Sequence, residues 1–156
     1  MYWIYKCNTH QEHYHGDWDY VYADKKTKAW GSQKENPRLA DAKKGHIIIA
    51  CQSNRNELVG LAKVTGWSKN DELMLKPEEL IRAKIRPLKK ADAQINKIPA
   101  LQSGQIKTLY AISDKDAKRL IAAARKSGIK TKKPTPKDIG NTKKRLEKSM
   151  QGAGFG

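Results

Sequence analysis

Two apolar runs separated by a short polar turn are the pattern that most limits the possible folds of this chain. Residues 46–51, HIIIAC, predict a buried strand, residues 53–57, SNRNE, a turn, and residues 58–67, LVGLAKVTGW, the returning strand of a hairpin. Aromatic and β-branched residues at 1–7, MYWIYKC, and at 106–112, IKTLYAI, predict two further strands. The pattern therefore predicts a small, β-rich mixed domain.

Three segments between the predicted strands carry helix signals. Residues 37–45, PRLADAKKG, predict a short helix with a proline in its first turn and a glycine as its stop. In residues 75–84, LKPEELIRAK, Pro77 and the two glutamates after it predict a second helix start. Ser113 and Asp114 cap a third helix, whose apolar residues recur at helical spacing: Ala117, Leu120, Ile121 and Ala124. We therefore expect an α+β fold, a half-open β-barrel with short helices packed at its ends.

Basic residues outnumber acidic residues two to one. The 32 Lys and Arg stand against 16 Asp and Glu, which gives a net charge of +16. A surplus of this size favours a polyanion, most simply nucleic acid, as the partner. Ten basic and two acidic residues lie between Arg125 and Lys148, and the sequence ends in the glycine-rich QGAGFG. We therefore expect a folded domain over residues 1–127 and a basic linker or tail over residues 128–156.

The sequence also bears on location and catalysis. Its apolar runs are far shorter than the roughly 20 residues of a membrane span, and no secretory signal begins it, so we expect a cytoplasmic protein in which Cys7 and Cys51 are reduced thiols. It contains no glycine-rich phosphate loop, nucleophile elbow or HExxH motif. Cys7 with His10, His13 and His15 has a spacing open to zinc but lacks a second ligand pair. We expect no enzyme activity, metal or cofactor, with a small metalloenzyme as the alternative.

The four tryptophans have two kinds of sequence surroundings. Trp3 lies in the first predicted strand, and Trp18 lies in residues 16–32, which predict a loop or irregular edge. Trp30 and Trp67 lie at element ends beside Gly, Ser, Lys and Asn, where an indole can stack on a flat ligand. The alternative is that they pack in a core. Because Trp30 is predicted in a loop, we expect Trp30→Ala to leave the fold intact.

Three runs of the sequence resemble the EVE and YTH members of the PUA-like superfamily: YWIYKCN, AWGSQKENPRLADAKKGHIIIACQSN and ELVGLAKV. The motif residues are Lys6-Cys7-Asn8, where the family has Lys-Ser-x, Trp30-Gly31-Ser32, which matches its tryptophan loop, and Ser53-Asn54, which matches the end of its hydrophobic strand. The run IKTLYAISDKDAKRLI is similar to its closing strand and helix. The likeness covers residues 1–125 and departs at Cys7, where the family has Ser, and at Gly31, where the EVE loop has Asp.

The resemblance implies a small PUA-like (EVE/YTH-like) β-barrel that reads a flipped, modified base in double-stranded DNA. It favours 5-methylcytosine or 5-hydroxymethylcytosine, with N6-methyladenine as the alternative. Trp30 and Trp67 would be opposing walls of an aromatic cage, Asn8 would read the Watson–Crick edge, and the backbone of Gly31 and Ser32 would meet the exocyclic amine. The implied base-binding residues are Lys6, Cys7, Asn8, Trp30, Gly31, Ser32, Asn54 and Trp67. The residues expected on the nucleic-acid backbone are Lys34, Arg38, Arg55, Lys69, Lys130, Lys132 and Lys133.

The basic tail resembles the junction that precedes the nuclease domain in some modification-dependent restriction enzymes. This likeness implies that the chain is a recognition module, with a C-terminal nuclease domain that cleaves modified DNA, as in phage defence. A PUA-like RNA-binding protein acting on structured RNA is the alternative, because the basic charge fits it equally well.

Overall fold

Six strands form a single sheet in the computed structural model, which describes residues 1–8, 17–102 and 108–128. The strands are β1 Tyr2–Cys7, β2 Lys28–Ser32, β3 Ile47–Gln52, β4 Glu57–Trp67, β5 Glu72–Lys84 and β6 Leu109–Ile112. The helices are α1 Ile85–Ala91, α2 Ala93–Asn96 and α3 Asp114–Ser127, and short 3-10 turns occupy Trp18–Tyr20, Pro37–Asp41, Ser53–Arg55 and Pro99–Leu101. No helix within these described ranges is long and apolar enough to cross a membrane.

The strand order in the sheet is β2-β5-β4-β3-β1-β6. Strand β1 runs parallel to β3, and the other neighbouring pairs are antiparallel. Register shifts interrupt the β3–β4, β4–β5 and β2–β5 pairings. Such bulges bend a strand and increase its twist. The sheet curls into a half-barrel, so the fold is α+β and barrel-like, as the sequence predicts, but the helices pack on one face of the sheet rather than at the ends of a barrel.

Alternation along β1 divides the buried side chains between two faces of the sheet. Ile4 packs with the aliphatic residues of α1, α2 and α3 on one side, which we call the helix face. Trp3 and Tyr5 pack on the other side, which we call the aromatic face. All four tryptophans of the chain lie on the aromatic face, where Trp67 alone among them is half-buried and the other three are buried. The 3-10 turns that contain Trp18 and Leu39 contribute to this second core.

The predicted hairpin and the predicted C-terminal helix are confirmed. Strands β3 and β4 pair antiparallel through the turn Ser53–Arg55, and Asn56 completes the reversal with a φ of 47°. Ser113 caps α3 by accepting a hydrogen bond from the Asp116 amide at 3.1 Å. The four residues of α3 that recur at helical spacing in the sequence are its buried residues: Ala117, Leu120, Ile121 and Ala124.

The helix predicted at Pro77 is wrong, because residues 75–84 belong to β5. Pro77 pairs with Ala62 of β4 beside a bulge, a position that tolerates the missing amide donor. The strand buries alternate apolar residues on each side of this irregularity: Leu73, Leu75, Ile81 and Ala83. Glu79, expected beside a helix dipole, instead pairs with Arg125 of α3 at 2.7 Å. Pairing with a long neighbouring strand outweighs the local helix signal.

Two shorter predictions are partly correct. Residues 37–45 hold a single 3-10 turn, Pro37–Asp41, rather than an α-helix, and Asn36 caps it by accepting a hydrogen bond from the Arg38 amide at 3.2 Å. The irregular edge predicted over residues 16–32 contains the edge strand β2. The three clustered histidines and the tail from residue 129 lie outside the described residues.

Candidate nucleic-acid interface

The predicted base-binding residues are divided between the two faces of the sheet. Lys6 and Cys7 are consecutive in β1, and their side chains therefore take opposite sides. Cys7 is buried on the aromatic face, whereas Lys6 is half-buried on the helix face beside Cys51 and Ile85. Asn8 follows directly and is half-buried. The structure therefore does not gather the predicted set into one pocket.

Trp30 is a core residue of the aromatic face, with 5% of its surface exposed. Its Nε1 donates a hydrogen bond to Cys7 Sγ at 3.2 Å, and its ring centroid lies 5.2 Å from that of Trp18. The Tyr20 ring stacks on Trp30 at 6.2 Å, with 23° between the planes. The expected loop position is wrong, because Trp30 is the central residue of β2. Removal of a buried indole opens a cavity, so we now expect Trp30→Ala to destabilise the fold, in contrast to the expectation from a loop position.

Gly31 has a structural reason to be glycine. Its φ is +100°, and a Cβ added there would lie 2.3 Å from Tyr5 Oη and 2.7 Å from Leu39 Cδ1. The Tyr5 hydroxyl donates a hydrogen bond to the Trp30 carbonyl at 3.1 Å, so the tyrosine is already committed to this strand. Ser32 ends β2, and its Oγ accepts a hydrogen bond from the Lys34 amide. The close packing of the Tyr5 and Leu39 side chains on Gly31 therefore depends on the missing side chain.

Trp67 ends β4 and packs half-buried against the aromatic core. It pairs with Leu73 of β5, and β2 lies on the other side of β5. Trp67 and Trp30 therefore project from the same face of the sheet with one strand between them. Two strand spacings separate their backbones by about 10 Å. Trp67 is the more accessible of the two.

A buried polar contact that the sequence did not reveal joins the aromatic core to the end of β3. Gln52 is fully buried, and its Oε1 accepts a hydrogen bond from the Trp18 amide at 3.1 Å. Trp18 Nε1 donates to the Cys51 carbonyl at 3.0 Å. Gln52 Nε2 donates to Oδ1 of the exposed Asn54 at 2.6 Å, so the predicted base contact Asn54 is tied to this network. A polar residue at an inward position of a buried strand was the available signal.

Arg55, a predicted contact to the nucleic-acid backbone, lies at the centre of an ion-pair cluster. Its Nη1 lies 2.8 Å from Asp17 and 3.2 Å from Asp19, and its Nη2 lies 3.4 Å from Glu57. All three carboxylates belong to buried residues. Burial raises the pKa of Asp19 and the neighbouring Asp17 raises it further, while Arg55 lowers it. Three neighbouring carboxylates neutralise the charge of this guanidinium locally, which weakens its attraction for a phosphate.

The remaining predicted backbone contacts are at the surface or outside the described residues. Three of them are exposed. Lys34 lies just after β2, Arg38 lies in the 3-10 turn Pro37–Asp41, and Lys69 lies just after β4. These positions are accessible to a phosphate backbone. The residues of this set that lie outside the described ranges are Lys130, Lys132 and Lys133.

Neither cysteine is arranged for reaction. Burial raises the pKa of the Cys51 thiol to about 12 and raises that of Cys7 well above its ordinary value. A protonated, buried thiol is a poor nucleophile. Within the described ranges, no three His, Cys, Asp or Glu residues are grouped so that they could hold a metal ion.

Comparison with known proteins yields structural likeness only. No protein-family model matches the chain, and no curated protein matches it. The fold is similar to the NMR structure of Rpa0253 from Rhodopseudomonas palustris, with a TM-score of 0.63 and 15% identity over 79% of this chain and 92% of that one. It is also similar to the crystal structure of Atu2648 from Agrobacterium tumefaciens, with a TM-score of 0.59 and 16% identity over 86% and 98%. Both are structural genomics targets, and the likeness shows that this chain has the same α+β, curled-sheet fold.

Proposed function

We propose that this chain is a DNA-binding domain that reads a flipped modified base, 5-methylcytosine or 5-hydroxymethylcytosine, through a PUA-like (EVE/YTH-like) half-barrel. The observation that carries the proposal is the placement of Trp30 and Trp67 on the same face of the sheet, on either side of β5. The net charge of +16 supports nucleic acid as the ligand. The contact between Cys7 and Trp30 adds support, because two motifs that are separate in the sequence meet there.

The two tryptophans have different parts in this proposal. Trp30 is held by Cys7 and by the Trp18 ring, so it is a rigid wall that need not be ordered when the base binds. Trp67 is half-buried and offers its ring to the ligand. Tyr20 stacks on Trp30 and is itself half-buried, so we assign to the base the place that the Tyr20 ring takes in the free protein.

Base reading of this kind provides little affinity by itself. Extruding a base costs a few kcal/mol, and stacking on an aromatic ring returns about 1–3 kcal/mol. Burial of one methyl group adds about 0.8 kcal/mol. Phosphate contacts must therefore supply much of the binding free energy, and the affinity is expected to fall steeply with salt.

Trp67→Ala tests the proposal without removing a buried residue. The measurement is the affinity for otherwise identical duplexes that carry 5-methylcytosine, 5-hydroxymethylcytosine, N6-methyladenine or no modification. We expect a loss of about 1–3 kcal/mol, roughly 5- to 150-fold, on the duplex with the preferred base and a much smaller loss on the plain duplex.

Leu80→Ala is the matched control, because Leu80 is also half-buried against the aromatic core but carries no ring. It should leave the ratio of modified to plain affinity unchanged. If Trp67→Ala kept the full preference for the modified duplex over the plain duplex, the cage assignment would be contradicted. Preference for N6-methyladenine would replace the cytosine assignment, and tighter binding to a structured RNA than to every duplex would favour the RNA-binding alternative.

The proposal also makes this chain the recognition part of a modification-dependent endonuclease. The catalytic residues would then belong to a nuclease domain joined to the basic tail. Incubation of the chain with modified duplex in the presence of Mg²⁺ should leave the DNA intact, and cleavage by the chain itself would contradict this assignment.

A further inference from the structure

A groove of about 710 Å³ opens on the helix face between β1, the turn after β3, and helices α1 and α2. Four basic residues line it: Lys6, Arg86, Lys89 and Lys90. The amides of Asn56 and Asn96 add neutral hydrogen-bonding groups, and no carboxylate lines it among the described residues. We call this feature the basic groove.

The cations of the basic groove lie together without a neighbouring carboxylate among the described residues. Arg55, Arg119 and Arg125 each pair with a carboxylate, whereas no groove cation forms such a pair within the described part of the chain. Lys6 lies over the Tyr110 ring, 5.1 Å from its centroid. Burial lowers the pKa of Lys6, and the positive charge of Lys89 lowers it further. Cations collected without a counter-charge repel one another, and a bound anion relieves that repulsion.

The basic groove and the aromatic core meet at one end of β1. Lys6 points into the groove, and the next residue, Cys7, contacts Trp30 on the opposite face. Ser53 and Asn56, which follow β3 at the same end of the sheet, line the groove. A nucleic-acid strand that passes this edge could therefore present a base to one face and its phosphates to the other.

We propose that the basic groove binds consecutive backbone phosphates of the strand whose base is read on the aromatic face. This assignment rests on the proposed function and adds the phosphate site that the proposed function requires. The volume exceeds that needed by one phosphate and suits a short stretch of phosphodiester backbone. Lys89 donates to the Leu101 carbonyl at 2.8 Å and is thereby held in place, while Arg86 and Lys90 are exposed at the groove and free to follow the backbone.

The double variant Arg86→Gln/Lys90→Gln tests the groove, and Lys25→Gln/Lys44→Gln is its control. All four residues are exposed, both variants lower the net charge equally, and the control residues do not line the groove. Affinity is measured by fluorescence anisotropy over a range of salt, on single-stranded and duplex DNA, plain and modified, and on RNA of the same sequence. For the groove variant we expect weaker binding by the same factor on modified and plain DNA, and a salt slope that is less negative by about 1–2. The control should retain the slope of the unmodified protein.

The outcomes separate the groove from the base-reading site. Equal salt slopes in the two variants would overturn the groove assignment, and a preserved preference of the groove variant for the modified base would then leave the proposed function standing. A groove-specific loss in a protein that never prefers a modified base would support the groove and overturn base reading. A larger effect on RNA than on DNA would support the groove as a phosphate site and assign the strand to RNA.

Discussion

The two faces of the sheet bury cores of different chemistry. The helix face is lined by aliphatic side chains, and Leu120 and Ile121 of α3 belong to the same buried cluster as Ile4 and Ile49 of the strands. The aromatic face holds every tryptophan of the chain. One face is covered by regular helices and the other largely by 3-10 turns and the curl of the sheet.

This difference shows how each core is specified. A helix presents a narrow stripe that small and aliphatic residues fill well, so local periodicity defines its partners. Short turns present no such stripe, and large flat rings fill the irregular space, anchored by single polar contacts such as Trp18 Nε1 to the Cys51 carbonyl and Trp30 Nε1 to Cys7 Sγ. The aromatic face therefore depends on contacts between distant parts of the chain.

Trp18→Ala should have the largest effect on stability. Trp18 is fully buried, and its loss removes both a large ring and the hydrogen bond to β3. We expect a decrease of about 3–5 kcal/mol in the free energy of unfolding, measured by urea denaturation followed by circular dichroism. Leu120→Ala, the counterpart on the helix face, should cost about 2–5 kcal/mol.

If Trp18→Ala does not fold, Trp18→Phe keeps most of the ring and should cost less than the alanine variant. A loss below about 1 kcal/mol for Trp18→Ala would show that the turn Trp18–Tyr20 does not support the aromatic core.

Gly31→Ala and Gly45→Ala separate close packing from backbone strain. Both glycines have positive φ, +100° and +91°, but an added Cβ meets Tyr5 and Leu39 at Gly31 and nothing within 4 Å at Gly45. Gly31→Ala should therefore be more destabilising by about 1–3 kcal/mol, measured as the difference in unfolding free energy. Equal losses would mean that the Tyr5 and Leu39 side chains can move away from residue 31 without cost.

The free energy of unfolding should depend on pH through Asp19, one of the buried acids that surround Arg55. Because the pKa of Asp19 is raised, the folded protein keeps a proton that the unfolded chain has already lost above the ordinary Asp value of about 3.9. The contribution of Asp19 to stability therefore falls as the pH rises through the interval between the unfolded and folded pKa values. Asp19→Asn should remove this slope.

Urea denaturation of both proteins over a pH series gives the measurement. The difference in unfolding free energy between the native protein and Asp19→Asn should decline as the pH rises through that interval and then level off. Parallel curves would show that the Asp19 carboxyl titrates alike in the folded and unfolded states.

The sequence predicted those features that depend on neighbouring residues. The cap at Ser113 and the period of α3 lie within one segment, and so do the two strands and the turn of the central hairpin. Pro77 was misread because its role depends on the pairing of β5 with β4, which no local pattern reports. The ion pairs of Arg55 were not predicted, because Asp17 and Asp19 belong to a segment of the chain more than 30 residues earlier in the sequence.

By itself the sequence determined the central hairpin, the amphipathic helix α3 and the surplus of positive charge. It also identified the tryptophans as candidate ligand-stacking residues. Only the tertiary structure decided that Trp30 is a buried core residue, that Trp67 is the more accessible indole, and that Lys6 joins Arg86 in a groove on the other face. The physical reason is that the pleat of a strand sends consecutive side chains to opposite faces, and pairing with strands far away in the chain decides which core each set meets. The charged and aromatic residues can be counted in the sequence, but the residues that they contact depend on how those strands pair.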